Sequence, residues 1–327
     1  MIKLSIIIPT YNAAEFVPIL ANILRQLEHV EVLFIDDGST DGTVNVVEDE
    51  CREMSLKNLN ASVIKSNHKG VSTSRNIGIE RARGEYTTFI DADDLFNVDN
   101  LVKIINKLDT ANEDIIIFQN EFNDMTVNMI ENDNRYEMID AVVLKKNPFQ
   151  QKFIQPAPWA KLFRTKFLQE NKIYFPEDVQ FGEDLIFNVS CLEKSELVTF
   201  NSFGFYRYRN NLNSVSNKVS YDVVSNAKHF FNHLADLIGN DSDLFKEKVA
   251  RSIINDSKRA IKGGKSISDV IKLVDLLSSM GYSTNDLNRK QKLMFELLIR
   301  HHMFLAKILI QIKTMKKNNS DMLYQEV

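Results

Sequence analysis

Three carboxylates lie within four residues, at Asp91, Asp93 and Asp94, directly after the apolar pair Phe89 and Ile90. At this spacing the charges repel one another unless solvent or a cation compensates them. A helix start favours acids in its first turn, but that explains one or two acids rather than three. A hard divalent cation binds oxygen ligands of this kind. The sequence therefore predicts a metal site that can receive phosphate oxygens.

A second acidic segment follows the apolar residues 30–35. Residues 36–42 have the sequence DDGSTDG, in which carboxylates alternate with glycines that permit a tight turn. Asp36 or Asp37 could accept the N3–H group of a uracil while the loop wraps the base and the ribose. The alternative is a surface Asx turn that leads into a helix N-cap. Similar polar clusters after other predicted strands favour the binding site.

Two helix starts carry further candidates. Residues 70–78, with the sequence GVSTSRNIG, have small side chains that permit close approach to a sheet, and Arg75 could reach a phosphate or a sugar hydroxyl. A solvent-exposed helical arginine is the alternative. Residues 181–187, FGEDLIF, place Glu183 and Asp184 ahead of an apolar helical run. This is a helix N-terminus by itself, but a carboxylate here could also act as a general base, which contributes typically about 10²–10⁴-fold to a rate.

Aromatic and cationic residues later in the chain are less specific. Arg207 and Arg209 alternate with tyrosines, as in a strand, and could close over a diphosphate or simply lie on a two-faced edge strand. Trp159 could stack on a sugar ring of an acceptor or fill the core beneath a turn. The sequence leaves these alternatives open.

The elements that position these residues alternate in type. Apolar or β-branched runs predict strands, and helical spacing predicts the helices between them. The strands are expected at residues 4–8, 30–35, 61–65, 86–90 and 114–118, and the helices at 14–27, 43–54 and 71–83. This order predicts an α/β fold, with a mostly parallel sheet flanked by helices. Ligands bind beyond the carboxyl ends of such strands, so the polar clusters are expected to share one rim.

The chain divides into two predicted regions. Residues 1–220 are expected to form the main domain, with a nucleotide-binding half at about 1–118 and an acceptor half at about 119–220. From about residue 221 the pattern is helical, with breaks at Gly263-Gly264 and near Gly281. The second region, 221–327, is therefore predicted to be a helical C-terminal region.

Composition excludes several classes of protein. The chain has 327 residues, 44% of them hydrophobic and 26% charged, as in ordinary globular proteins. A net charge of -4 gives no reason to expect nucleic acid. Cys51 and Cys191 are too few for a disulfide framework, which favours the reducing cytoplasm. The sequence has no signal-peptide pattern and no apolar stretch long enough for a spanning helix.

A cationic segment near the C-terminus has two interpretations. Residues 289–317 contain eight Lys or Arg and one acid, Glu296, beside apolar residues at roughly helical spacing. Docking on the inner face of the plasma membrane is one hypothesis, since each basic side chain near anionic lipid contributes about 1 kcal/mol. The alternative is an amphipathic helix that packs on the domain or on a second copy of the chain.

Taken together, the motifs resemble those of the family 2 glycosyltransferases, inverting enzymes of the GT-A fold, over roughly residues 2–215. Residues 5–12, SIIIPTYN, match the family's opening strand and nucleotide loop, and residues 36–41 match its uridine loop, with Asp37 as the expected base contact. The segment Asp91-Ala92-Asp93 matches the family's metal motif, in which Asp93 would contact Mn²⁺ or Mg²⁺. The resemblance implies donor binding by Pro9, Thr10, Tyr11, Asn12, Asp36, Asp37, Asn67, Arg75, Asp91, Ala92 and Asp93.

The resemblance also implies an activity. Glu183-Asp184 matches the family's acidic pair, with Asp184 as the general base, while Trp159, Glu183, Arg207 and Arg209 are candidate diphosphate or acceptor contacts. The expected reaction moves a sugar from a UDP-sugar to a hydroxyl of a glycan, a lipid-linked saccharide or a glycoprotein, as in bacterial surface polysaccharide assembly. The signature and membrane helices of processive synthases are absent, which favours single addition.

Two alternatives of other classes stay open. One is a nucleotide-sugar-binding or scaffolding subunit without turnover, although the presence of Asp91, Asp93 and Asp184 argues against it. The other is a nucleotidyltransferase of the same fold. Such enzymes usually carry a glycine-rich, basic phosphate loop near the N-terminus, and residues 9–14 have no such character.

Overall fold

The computed structural model describes residues 1–57, 59–118, 135–144, 155–201, 203–207, 221–278, 280, 282–285 and 287–300. The chain forms two compact units, Met1–Asn211 and Leu212–Val327. The expected boundary at residue 220 stays a prediction, because residues 208–220 lie outside the described ranges. The predicted positions of Arg209 and of the cationic segment beyond residue 300 lie outside them too.

The first unit is built on a seven-stranded sheet with the order β3-β2-β1-β4-β7-β6-β8. Strand β7 runs antiparallel to β4 and β6, and the other neighbouring pairs are parallel. A separate antiparallel ribbon pairs β5 with β9. The predicted mostly parallel sheet is confirmed. The strands are β1 Leu4–Thr10, β2 Val30–Asp36, β3 Asn60–Lys65, β4 Tyr86–Phe89, β5 Leu95–Phe96, β6 Ile115–Phe118, β7 Lys161–Arg164, β8 Val198–Asn201 and β9 Tyr206–Arg207.

Two helices of this unit are shorter than the sequence predicted. The first begins at Val17 rather than at residue 14, because the backbone N–H of Ala14 donates to Asp41 Oδ2 (3.3 Å) in the neighbouring loop. The third ends at Arg81, since the N–H groups of Arg83 and Gly84 turn to the buried Glu31. The helices are α1 Val17–Leu24, α2 Thr43–Leu56, α3 Val71–Arg81, α4 Val98–Lys107, α5 Arg135–Leu144, α6 Thr165–Glu170 and α7 Glu183–Lys194.

Strands β1 and β2 are buried along nearly their whole length, as expected for parallel strands covered on both faces. Helix α3 lies directly on β1 at Gly78. A Cβ atom at this position would lie 2.4 Å from Ile7 Cγ2, so a larger residue does not fit. The close approach predicted from the small residues of this helix is confirmed.

The second unit is helical in its described residues, as predicted. Asp222 and Ser242 cap two of its helices, each accepting hydrogen bonds from backbone N–H groups of the first turn. No helix within the described residues is both apolar enough and long enough to cross a membrane. The helices are α8 Val223–Ile238, α9 Asp243–Lys262, α10 Ile267–Ser278 and α11 Arg289–Ile299.

Candidate active site

The predicted rim exists at the carboxyl ends of the parallel strands. Thr10 at the end of β1 pairs in register with Asp36 at the end of β2. Strand β4 ends at Phe89, immediately before the acidic segment. Because β7 is antiparallel, its first residue, Lys161, lies level with Ile117 near the end of β6. Loops that leave parallel strands and the loop that enters β7 therefore meet at the same edge.

The loops after β1 and β2 are joined by hydrogen bonds. The N–H of Asn12 donates to Ser39 Oγ (2.9 Å), and the N–H of Thr40 donates to Asn12 Oδ1 (2.8 Å). Asp36 is 1% exposed, and its Oδ2 accepts the N–H groups of Gly38 and Ser39. Asp36 thus forms the Asx turn that the sequence offered as an alternative, and it shapes the loop from inside.

Asp37 is held by the loop after β3. Its Oδ1 accepts the N–H of Lys69 (2.7 Å), and its Oδ2 accepts the N–H of Gly70 (2.9 Å). The carboxylate is 5% exposed and fixed in orientation by these two bonds. Asn67 is exposed in the same loop, and Tyr11 is 46% exposed at the tip of the first loop. These residues lie close together at the rim.

The acidic segment after β4 divides into two parts. Asp91 and Asp93 are half-buried at the rim, with Ala92 between them. Asp94 is 3% exposed and accepts the hydroxyl of Tyr206 at 2.5 Å. The same hydroxyl accepts the N–H of Asp91 (3.3 Å). Asp94, which the sequence grouped with Asp91 and Asp93 as an acidic cluster, therefore supports the loop through Tyr206. The metal contacts predicted from the sequence are Asp93 and Asp91, and they stay a prediction.

Trp159 and Arg207 flank this support. The Trp159 ring is stacked on Tyr206 with centroids 5.1 Å apart and planes at 3°. Trp159 is 9% exposed, so it fills the space beneath the acidic loop. Arg207 is exposed at the end of β9 and pairs with Leu95 through the backbone. The sequence did not single out Tyr206, although it precedes Arg207 in an alternating pattern.

Arg75 is buried rather than solvent-exposed, with 4% of its surface accessible. Its Nη1 lies 2.7 Å from Asp184 Oδ1 and 3.6 Å from Glu183 Oε1, and its Nη2 lies 3.2 Å from Asp91 Oδ1. The guanidinium also lies 5.1 Å from the centre of the Phe175 ring. One cation therefore joins the acidic loop after β4 to the acidic pair at the start of α7.

Glu183 and Asp184 begin helix α7 directly after Gly182, whose φ is 102°. Burial raises the pKa of Glu183 to about 8, and the charge of Asp184 adds to this effect while Arg75 opposes it. Burial also raises the pKa of Asp184, and Arg75 again opposes the shift. Asp184 has the closer contact with the guanidinium. Burial thus favours the protonated form of both carboxyls, and the shorter contact with Arg75 opposes this more strongly at Asp184.

Lys161 is a buried amine that the sequence analysis missed. It is 3% exposed, and its Nζ donates to the carbonyls of Gln155 (2.8 Å) and Ala157 (2.6 Å). Burial lowers the pKa of this amine to about 7, with Asp184 opposing the shift. One signal could have identified it. Lys161 is a lysine at the start of an apolar strand and directly follows a segment with two prolines, Pro156 and Pro158.

Asn188 also binds the segment at residues 155–159, whose carbonyls Lys161 contacts. Its Nδ2 donates to the carbonyls of Pro156 and Asp184, each at 2.8 Å. Two prolines in this segment lack N–H groups, so it cannot join a strand ladder through them. Its carbonyls are bound by side chains of β7 and α7 instead, and the segment is fixed beside Asp184.

The donor set fits a divalent cation completed by phosphate. Within the described ranges, no group of three or more His, Cys, Asp or Glu side chains could hold a metal ion by itself. Mg²⁺ and similar ions are commonly held by one or two carboxylates together with substrate phosphates and water. Asp91 and Asp93 supply two such carboxylates at the rim.

A mostly parallel sheet with acidic loops at its carboxyl rim defines a GT-A architecture. The chain matches the model described as Glycosyl transferase family 2 over residues 5–171, and it belongs to that family. It is 28% identical over 212 residues to the poly(ribitol-phosphate) beta-N-acetylglucosaminyltransferase TarS of Staphylococcus aureus, covering 64% of this chain and 35% of that protein. It therefore spans about a third of the length of that relative.

Another bacterial glycosyltransferase and a solved structure are also similar to this chain. The uncharacterized glycosyltransferase EpsJ of Bacillus subtilis is 28% identical over 219 residues, covering 65% of this chain and 62% of that one. The structure of S. aureus TarS 1-349 in complex with UDP-GlcNAc has a TM-score of 0.67 at 19% identity, covering 96% of this chain and 92% of that chain. At this level of identity, the structural likeness shows the fold.

Proposed function

We propose that the chain is a metal-dependent, inverting glycosyltransferase that moves a sugar from a UDP-sugar to an acceptor hydroxyl. The observation that carries this proposal is the pairing of buried Arg75 with both Asp91 and Asp184. Asp91, proposed to hold the metal beside the diphosphate, and Asp184, proposed as the base, contact the same guanidinium. The N-acetylglucosaminyltransferase TarS, solved with UDP-GlcNAc, supports a donor of this class.

The donor nucleotide would bind against the loops that follow β1, β2 and β3. Tyr11 offers an aromatic face, and Asp37 offers a carboxylate whose orientation two backbone N–H groups fix. Such a carboxylate can accept the N3–H of uracil. Asn67 lies in the same loop as the groups that hold Asp37, while Pro9, Thr10, Asn12 and Asp36 lie in or next to these loops.

Asp93 and Asp91 would hold Mn²⁺ or Mg²⁺ beside the diphosphate. When bound, the ion offsets the charge that develops on the leaving UDP. A mannosyltransferase of Pyrobaculum calidifontis solved with GDP-Man and Mn²⁺ has the same fold at a TM-score of 0.53 and 15% identity. That structure is consistent with a divalent ion in this architecture.

Asp184 would act as the general base. Burial raises the pKa of Asp184 and the 2.7 Å ion pair with Arg75 opposes that shift, while Glu183, whose pKa burial raises to about 8, keeps its proton near neutral pH. Asp184 takes the proton of the acceptor hydroxyl, and the hydroxyl oxygen bonds to the anomeric carbon as the bond from that carbon to UDP breaks. The attack comes from the face opposite UDP, so the configuration inverts.

The acceptor would be a glycan, a lipid-linked saccharide or a glycoprotein in surface-glycan assembly. Asn188 fixes the segment at residues 155–159 next to Asp184, so this segment would line the acceptor site. Arg207, exposed on β9, would also contact the acceptor. We place the protein in the cytoplasm. Its cationic C-terminal helix would contact either the inner face of the plasma membrane or a second copy of the chain.

The test is UDP release from a panel of UDP-sugars with Mn²⁺, with and without EDTA. We expect one preferred donor, loss of turnover in EDTA, and loss in Asp93→Ala but not in Asp99→Ala, a matched exposed acid in the first turn of α4. NMR of the product should show an inverted anomeric centre. A retained configuration contradicts the mechanism, and UDP binding without turnover with any donor or acceptor favours a scaffolding subunit.

A further inference from the structure

The aromatic ring of Tyr11 does not stand alone at the rim. It is stacked on the imidazole of His68, with ring centroids 4.5 Å apart and planes at 27°. Tyr11 nevertheless stays 46% exposed. One face of the tyrosine ring is thus covered by a second ring, and the other face remains open to a ligand.

His68 is itself held in place by Asp37. Its Nδ1 lies 3.0 Å from the backbone carbonyl oxygen of Asp37, which can only accept, so Nδ1 carries the proton and donates. The same nitrogen lies 3.3 Å from Asp37 Oδ2. A Cβ on Gly38 would lie 3.2 Å from His68 Cβ, so the two loops pack closely. His68 therefore links the Tyr11 ring to Asp37.

The backbone at His68 is unusual for its residue type. Its φ is 45°, in the left-handed region that glycine adopts without strain. A side chain at such a position persists where its surroundings hold it, and strain of this kind concentrates at functional sites. Glycine would fit the turn better, so the imidazole is the part that needs an explanation.

We propose that His68 is a positioning residue of the nucleobase subsite, which backs the Tyr11 ring so that a pyrimidine stacks on its open face beside Asp37. The inference rests on the proposed function. An exposed tyrosine that samples several rotamers must lose that freedom when a base binds. A stacked partner fixes the ring beforehand, which strengthens base binding by a few-fold, about three- to tenfold for a typical ring pair.

The experiment is calorimetric titration of the full chain with UDP and Mn²⁺, and separately with inorganic pyrophosphate and Mn²⁺. His68→Gly removes the ring and relieves the backbone, so the variant should fold at least as well as wild type. We expect UDP binding to weaken about three- to tenfold and pyrophosphate binding to stay unchanged. His68→Phe, which keeps a ring, should restore most of the UDP affinity.

His29→Gly is the matched control. His29 is also exposed and also has a positive φ, 60°, but it directly precedes β2 and so lies at the end of that strand away from the rim. The role of His68 is contradicted if His68→Gly binds UDP as tightly as wild type does, or if it loses as much affinity for pyrophosphate as for UDP. Either result leaves the proposed function intact. Failure of the wild type to bind UDP overturns the proposed function, and this inference falls with it.

Discussion

Isosteric changes at the acidic pair of α7 should separate the roles of two neighbouring carboxyls. Asp184→Asn removes the base but keeps a side-chain oxygen for Arg75 Nη1, which now lies 2.7 Å from the carboxylate. Arg75 also stays paired with Asp91, so donor binding should be preserved. We expect kcat to fall about 10²–10⁴-fold, or about 2.7–5.5 kcal/mol, with little change in KM for the UDP-sugar.

Glu183→Gln should behave differently. Burial raises the pKa of Glu183 to about 8, so at pH 7 the side chain is mostly protonated and glutamine is a close substitute. The rate at pH 7 should change by less than about threefold. Above pH 8 the wild type gains a second negative charge beside Asp184, whereas Glu183→Gln does not. The activity of the variant relative to wild type should therefore rise with pH.

The assay is UDP release with saturating Mn²⁺ from pH 6 to pH 9.5, with the same donor for both variants. Stability supplies an independent check of the sign. Because the pKa of Glu183 is higher in the folded state, the unfolded state loses its proton first, and the wild type loses stability between about pH 4.5 and pH 8. Glu183→Gln should lack this loss. A larger rate defect in Glu183→Gln than in Asp184→Asn at pH 7 would refute the assignment of the base.

Three further changes test the supports of the site. Gly78→Ala places a methyl group against Ile7 and should lower the free energy of unfolding by about 1–3 kcal/mol, measured by urea denaturation. Tyr206→Phe removes the hydroxyl that holds the acidic loop through Asp94, and should raise the Mn²⁺ concentration for half-maximal UDP release about tenfold. Lys161→Met should flatten the pH dependence of stability: burial lowers the pKa of this amine to about 7, so the wild type gains stability as pH rises from about 7 to about 10.

Each of these changes has a control variant or a result that would contradict it. Gly264→Ala changes a glycine with no atom near its Cβ position, so it tests only backbone strain. Unchanged Mn²⁺ dependence in Tyr206→Phe would mean that the hydroxyl does not hold the metal loop. Parallel pH curves for wild type and Lys161→Met would contradict the buried neutral amine.

The sequence predicted the sheet and the rim because these depend on local patterns. The apolar run at residues 30–35 predicted a strand that the structure extends by one residue, to Asp36. Polar residues directly after such runs must lie at strand ends. The positions of Asp36, Asp37, Asp91 and Asp93 at one edge follow from this rule alone.

The partners of these residues could not be predicted in the same way. Arg75 pairs with Asp184, which lies 109 residues away, and Tyr206 binds Asp94, which lies 112 residues away. No local periodicity encodes such contacts, since they depend on how separate elements pack. For this reason the sequence indicated no partner for Asp94 and did not single out Tyr206 at all.

The reversed direction of β7 brings a distant stretch of the chain to the rim. Because this strand runs against its neighbours, the segment that enters it at residues 155–160 reaches the same edge as the loops that leave β1, β2 and β4. The loops after β1, β2 and β4 and the segment beside Asp184 therefore come from separate stretches of the chain. Under the proposed function, a change in the segment that enters β7 would alter the acceptor side of the site and leave the donor loops unchanged.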